Sequence, residues 1–78
     1  MPRLTPVTPR RLAQVLWRNG LIEERGGRKH SLIMIDPENR RRRTVIPDYR
    51  EIPVNLLSRI LREAGKPRDE YLRILAEL

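Results

Sequence analysis

Apolar residues return along this chain at two periods, and each change of period marks an element. Leu12, Val15 and Leu16 recur at i, i+3, i+4, with Arg10, Arg11, Gln14 and Arg18 on the other sides, so a helix is expected over about residues 8–19. Thr8 is a good N-cap, Pro9 suits the first helical position and Asn19-Gly20 is a stop signal. Trp17 is expected to close the end of that stripe, in the core, with an exposed aromatic serving a partner or a base as the alternative. Leu21 to Arg25, with glycines on both sides, predicts a short strand. Lys29 to Ile35 predicts a second, ended by the turn Asp36-Pro37-Glu38-Asn39. Its run Leu32-Ile33-Met34-Ile35 is apolar on both faces, so the strand is either central and covered or meets another chain. Arg41 to Pro47 predicts the third strand of an antiparallel meander. Pro53 opens a helix whose stripe is Val54, Leu57, Ile60 and Leu61, ending at Gly65. Pro67 starts a last helix, with Asp69 and Glu70 in its first turn, where the dipole favours acids. Tyr71, Leu72, Leu75 and Leu78, with Ile74 alongside, form its apolar side. The expected fold is α+β: one domain over residues 1–78, a three-stranded antiparallel sheet packed against helices in the order α-β-β-β-α-α.

Seventy-eight residues without a cysteine must rely on one compact apolar core, with no disulfide, thiol nucleophile or Cys-based metal site. Met1-Pro2-Arg3-Leu4 leads into no apolar stretch, and no run approaches the roughly 18 residues of a membrane span, so a soluble cytoplasmic protein is expected. The net charge is +7, and it is unevenly placed. Residues 1–30 hold seven basic and two acidic side chains, residues 31–50 five and three, and residues 51–78 five and five. An excess confined to the first 50 residues suggests a polyanionic partner.

The candidate chemistry lies in that basic half. The only histidine, His30, ends Gly26-Gly27-Arg28-Lys29-His30 at the mouth of the apolar second strand. Histidine is the side chain best suited to exchange a proton near neutrality, and the adjacent cations favour its neutral form by repulsion. RNA cleavage without a metal needs a base for the 2′-OH, an acid for the leaving 5′-oxygen and cations on the crowded phosphate. His30 can fill either proton role, and Arg28 and Lys29 can supply charge. In the run Arg40 to Arg43 a strand alternates faces, so Arg41 and Arg43 point one way and Arg40 and Arg42 the other. Arg41 and Arg43, with Arg10 and Arg11, are candidates for tracking the RNA backbone. The acids are scattered rather than clustered as metal ligands, so neither metal nor cofactor is expected. A non-catalytic double-stranded RNA-binding module and a regulatory partner protein remain alternatives, although the start of the helix after Pro53 carries no cation.

The ordered motifs resemble one family. Pro6-Val7-Thr8 and Asn19-Gly20-Leu21 frame the first helix, and the glycine-rich turn runs to His30. Asp36-Pro37, Arg40 to Arg43 and Val45-Ile46-Pro47 follow, then Leu57 through Gly65 and Asp69-Glu70-Tyr71-Leu72. This succession, from about Leu4 to Leu75, resembles the HicA toxins, small ribonucleases paired with HicB antitoxins. The resemblance implies a fold similar to double-stranded RNA-binding domains and an endoribonuclease that cleaves mRNA. It also implies a HicB-like antitoxin covering the active face. Apart from the resemblance, a homodimer is a further arrangement open to this chain. The family's active-site histidine falls on His30. Where the family has Gly-Ser-His this chain has Gly-Gly-Arg-Lys-His, and Asp48-Tyr49 stand where a second histidine often follows Val-x-Pro.

Overall fold

The computed structural model describes residues 3–24 and 31–78. Six elements succeed one another: α1 (Pro9–Arg18), β1 (Ile22–Glu24), β2 (Leu32–Asp36), β3 (Asn39–Ile46), α2 (Val54–Ala64) and α3 (Arg68–Ala76). Each begins or ends where local chemistry directs. The Thr8 hydroxyl accepts from the Arg11 N–H at 3.2 Å, satisfying one of the free donors at the start of α1. Gly65 ends α2 in the left-handed region at φ 68°, and the Gly65 N–H donates to the Arg62 carbonyl. In the turn between β2 and β3 the Glu38 N–H donates to Asp36 Oδ1 at 2.9 Å, an Asx-type closure.

The strands form one antiparallel sheet in the order β1-β2-β3, so β2 is central. Directly paired residues share a face. The register sets Leu32 opposite Ile46 and Met34 opposite Thr44, and this face turns to the helices. The alternate face carries Ile22 paired with Ile35, Glu24 with Ile33, Ile33 with Val45, and Ile35 with Arg43. Both helices flanking the sheet pack on the first face, α1 against β1 and β2, α2 against β2 and β3, while α3 lies against α1. One core results, centred on Leu12, Val15, Leu16, Leu21, Leu57 and Ile60. Each such aliphatic side chain removed from water stabilises the fold by about 1.5–3 kcal/mol.

Two connections that lack hydrophobic periodicity are also held. Val7 and Ile52 form an isolated antiparallel bridge, with N–H to carbonyl distances of 3.2 and 2.6 Å, and both side chains are buried. Thr44, the buried polar residue of β3, donates its hydroxyl to Glu63 Oε1 at 2.9 Å and pins β3 to α2.

Three core assignments are corrected. Trp17 is 66% exposed, because at about 100° per residue it lies about 140° round α1 from Leu12. Val54 is exposed at the first position of α2, where Ile52 and Leu57 fill the core instead. Leu78 is exposed because α3 stops at Ala76, beyond which the helical period no longer directs a side chain. No helix among the described residues is long and apolar enough to cross a membrane.

Candidate nucleic-acid interface

The face of the sheet turned away from the helices combines apolar strand residues with arginines. Ile33 and Ile35 run down its centre, flanked by Ile22 on β1 and Val45 on β3. Arg43 Nε lies 3.2 Å from Glu24 Oε2 across the central strand, an ion pair rather than an aligned hydrogen bond. Arg41, two residues along β3, lies where the pairing with β2 jumps from Arg43 to Asn39; it makes no ion pair with a described carboxylate, and its backbone N–H donates to Asn39 Oδ1 at 3.2 Å. Of the two, the register places Arg43 on this face, opposite Ile35. They also occupy an edge strand, where charged side chains hinder unwanted pairing with other chains.

Arg42 points to the opposite side and has a structural position. Its stem crosses Gly65 so closely that a Cβ built there would come within 2.7 Å of the Arg42 side chain. Its Nη1 lies 4.0 Å from Asp36 Oδ2. A guanidinium at this point sits beside the carbonyl end of α2, where the helix dipole favours a cation.

The remaining candidate cations belong to α1, which contains three arginines and no acid. Burial raises the pKa of the Tyr71 phenol above its ordinary value, and the Arg11 guanidinium offsets a smaller part of that rise. No described residue hydrogen-bonds the Tyr71 hydroxyl. Arg10 turns elsewhere. With Ala13, Gln14 and Trp17 it forms a second helical stripe at i, i+3, i+4, i+7, along a groove of about 430 Å³ between α1 and the first two strands. The opposite side of this groove includes Glu23, Leu32 and Met34.

The candidate cations are thus divided between two sides of the sheet. Arg43 lies on the open face, whereas Arg10 and Arg11 stand on the helix that covers the other. His30, Arg28 and Lys29 lie outside the described residues. Leu32 of the α1 groove is two positions beyond His30 in the chain. The exposure of Trp17 favours the alternative reading of that residue, an aromatic available to a partner or a base, over the core. The 10-13-14-17 stripe was visible as a helical repeat, but its mixed chemistry resembles an ordinary solvated face until the strands are packed beside it.

A second groove, of about 410 Å³, follows the outer edge of β3, where Tyr49 and Arg59 flank the Thr44–Glu63 hydrogen bond. Arg59 donates from Nε to Glu63 Oε2 at 3.4 Å, so the cation and acid in this groove are already paired. No protein-family model matches the chain, and no curated protein matches it.

Proposed function

We propose that the protein is a HicA-like toxin endoribonuclease, built on a fold of the double-stranded-RNA-binding-domain type and acting on mRNA in the cytoplasm. The observation that carries this reading is the coincidence of motif order with element order. The α-β-β-β-α-α succession supports the fold, and within it the histidine motif leads into β2, the central strand. The open face then offers Arg43, with Arg41 two residues along the same strand, for RNA phosphates, and the exposed Ile22 and Val45 beside half-buried Ile33 as apolar surface suited to a HicB-like antitoxin.

In the proposed reaction His30 removes the proton from a ribose 2′-OH, and the 2′-oxygen attacks the adjacent phosphorus. The bond to the 5′-oxygen breaks and that oxygen takes up a proton, leaving a 2′,3′-cyclic phosphate and a free 5′-OH. Arg28 and Lys29 offset the charge that gathers on the phosphoryl oxygens. A single histidine cannot give and accept protons at the same instant, so water or the protonated imidazole completes the second transfer. One positioned acid–base group typically contributes about 10²–10⁴-fold to rate.

The test is RNA cleavage in the presence of EDTA. Wild type is expected to cut single-stranded RNA, and His30→Ala to bind it while cutting about 10²–10⁴-fold more slowly. Equal cutting by the two proteins overturns the assignment, and binding without cutting by wild type identifies a non-catalytic RNA-binding module. Arg41→Ala and Arg43→Ala should each lower the slope of log affinity against log salt by about one. An unchanged slope would remove the open face from the RNA path.

A further inference from the structure

Trp17 is an exposed indole on a groove that also contains a cation, an amide and a carboxylate. That combination is specific enough to ask what it holds. The groove lies on the helix side of the sheet, between α1 and the strands β1 and β2. Its volume of about 430 Å³ falls within the roughly 300–1,000 Å³ of small-ligand sites. Off the core stripe, Trp17 stands 66% exposed beside Gln14 and Arg10. An aromatic face open to solvent in a basic segment is the usual platform for an unpaired base.

Charge narrows the occupant. The helix supplies Arg10, Arg11 and Arg18 without an acid, which suits the phosphates of a polyanion, and Arg10 lies on the groove itself. Among the described residues Glu23 makes no ion pair, whereas the other acid on the groove, Asp48, already has a partner. A carboxylate accepts hydrogen bonds and donates none. Guanine presents two adjacent donors, N1–H and the N2 amino group, in a fork that matches two carboxylate oxygens. Adenine and cytosine each set a single donor group beside an acceptor, and uracil sets its one donor between two carbonyls. Those acceptors would face a carboxylate unfavourably. The Gln14 amide can meanwhile donate to guanine O6 or N7.

We propose that this groove seats an unpaired guanine of single-stranded RNA, its ring stacked on Trp17, its N1–H and N2 amino group donating to Glu23, and its phosphate beside Arg10. The ligand class rests on the RNA-cleaving reading above, but occupancy of the groove can be measured without cleavage. The groove thereby becomes the part of the protein that chooses where RNA is held, separate from the histidine that would cut it.

Trp17 is the only tryptophan in the chain, so its fluorescence, excited at the red edge of indole absorption, reports on this groove alone. The probes are guanosine 5′-monophosphate and hexauridylates in which one uridine is replaced by guanosine or by adenosine. Guanosine monophosphate and the guanosine-containing hexamer should quench Trp17, and that hexamer should bind roughly 10-fold or more tightly than the adenosine one. Trp17→Ala should weaken binding of the guanosine hexamer, read by anisotropy, about 5- to 150-fold, and Trp17→Phe should restore most of it. Glu23→Gln should abolish the guanine preference without weakening the adenosine hexamer. Equal quenching by both hexamers overturns the guanine assignment. Bound RNA that leaves Trp17 unquenched, or full affinity in Trp17→Ala, overturns the groove altogether. Cleavage followed in the same samples separates the two readings. Cutting without quenching removes the groove and leaves the nuclease; quenching by guanosine monophosphate without cutting does the reverse.

Discussion

The two faces of the central strand are nearly alike in composition and opposite in use. Leu32 and Met34 turn toward the helices, and Met34 is buried in the common core. Ile33 and Ile35 turn the other way, bordered by Ile22, Val45, Arg43 and Glu24. Ile35 is only 7% exposed, almost as covered as Met34, although α1 and α2 pack on the opposite face. Val45, at the strip's margin, is 46% exposed. Apolar character alone therefore does not tell which face anchors the fold. The neighbours do: one face ends against two amphipathic helices, the other beside Arg43 on an edge strand.

The strongest way to break this contrast is to truncate adjacent residues of β3. Ile46→Ala, on the helix side, is expected to cost about 2–5 kcal/mol, a large share of the stability of so small a domain. Val45→Thr, on the open side, is expected to change stability by no more than about 0.5 kcal/mol. Chemical denaturation measures both, and similar losses at the two positions would mean that the open face is as deeply packed as the other.

A smaller effect contrasts the two directions of the arginine run. Gly65→Ala should cost about 1–2 kcal/mol for its left-handed backbone, and more because the new Cβ meets the stem of Arg42. Gly20→Ala carries only the backbone cost, since no atom lies within 4 Å of its added Cβ. Arg42→Ala should recover part of the Gly65→Ala loss, whereas Arg43→Ala, on the open face, should recover none. A double-mutant cycle by thermal unfolding decides this, and equal losses at the two glycines would remove Arg42 from the account.

The smallest effect probes the covered side through Tyr71. Burial raises the pKa of this phenol above its unfolded value near 10, so the folded state keeps its proton when the unfolded state gives it up. Stability from this source is fully present below the unfolded pKa and is lost as pH rises through the folded one. Melting temperature should accordingly fall as pH increases above 10, and fall less in Tyr71→Phe. At neutral pH Tyr71→Phe should be near neutral or slightly stabilising, because it removes a buried hydroxyl that no described residue hydrogen-bonds. An identical pH profile in the two proteins would assign the alkaline loss to other groups.

Much of the architecture was legible because it is local. The Thr8 cap, the turn Asp36 to Asn39, Gly65 at the end of α2 and the acids opening α3 each act within a few residues, and each falls where the sequence pattern put it. The opposed directions of Arg42 and Arg43 follow from strand alternation in the same way. For Trp17 hydrophobicity favours the core, whereas the helical period sets it away from Leu12, Val15 and Leu16, and the second of these decides its exposure. The Val7–Ile52 bridge had no periodic signal, since it joins two irregular segments distant in the chain.

The sequence by itself determined the element order, the basic first half and the lone histidine leading into an apolar strand, because composition and short-range geometry need no partner. Only the tertiary structure decided which face of β2 the helices cover, that Arg10 and Arg43 belong to different sides, and that Glu23 faces the same groove as Trp17. Those are relations between residues far apart in the chain. They exist only once the helices have buried one face of the sheet and thereby settled what lies beside what.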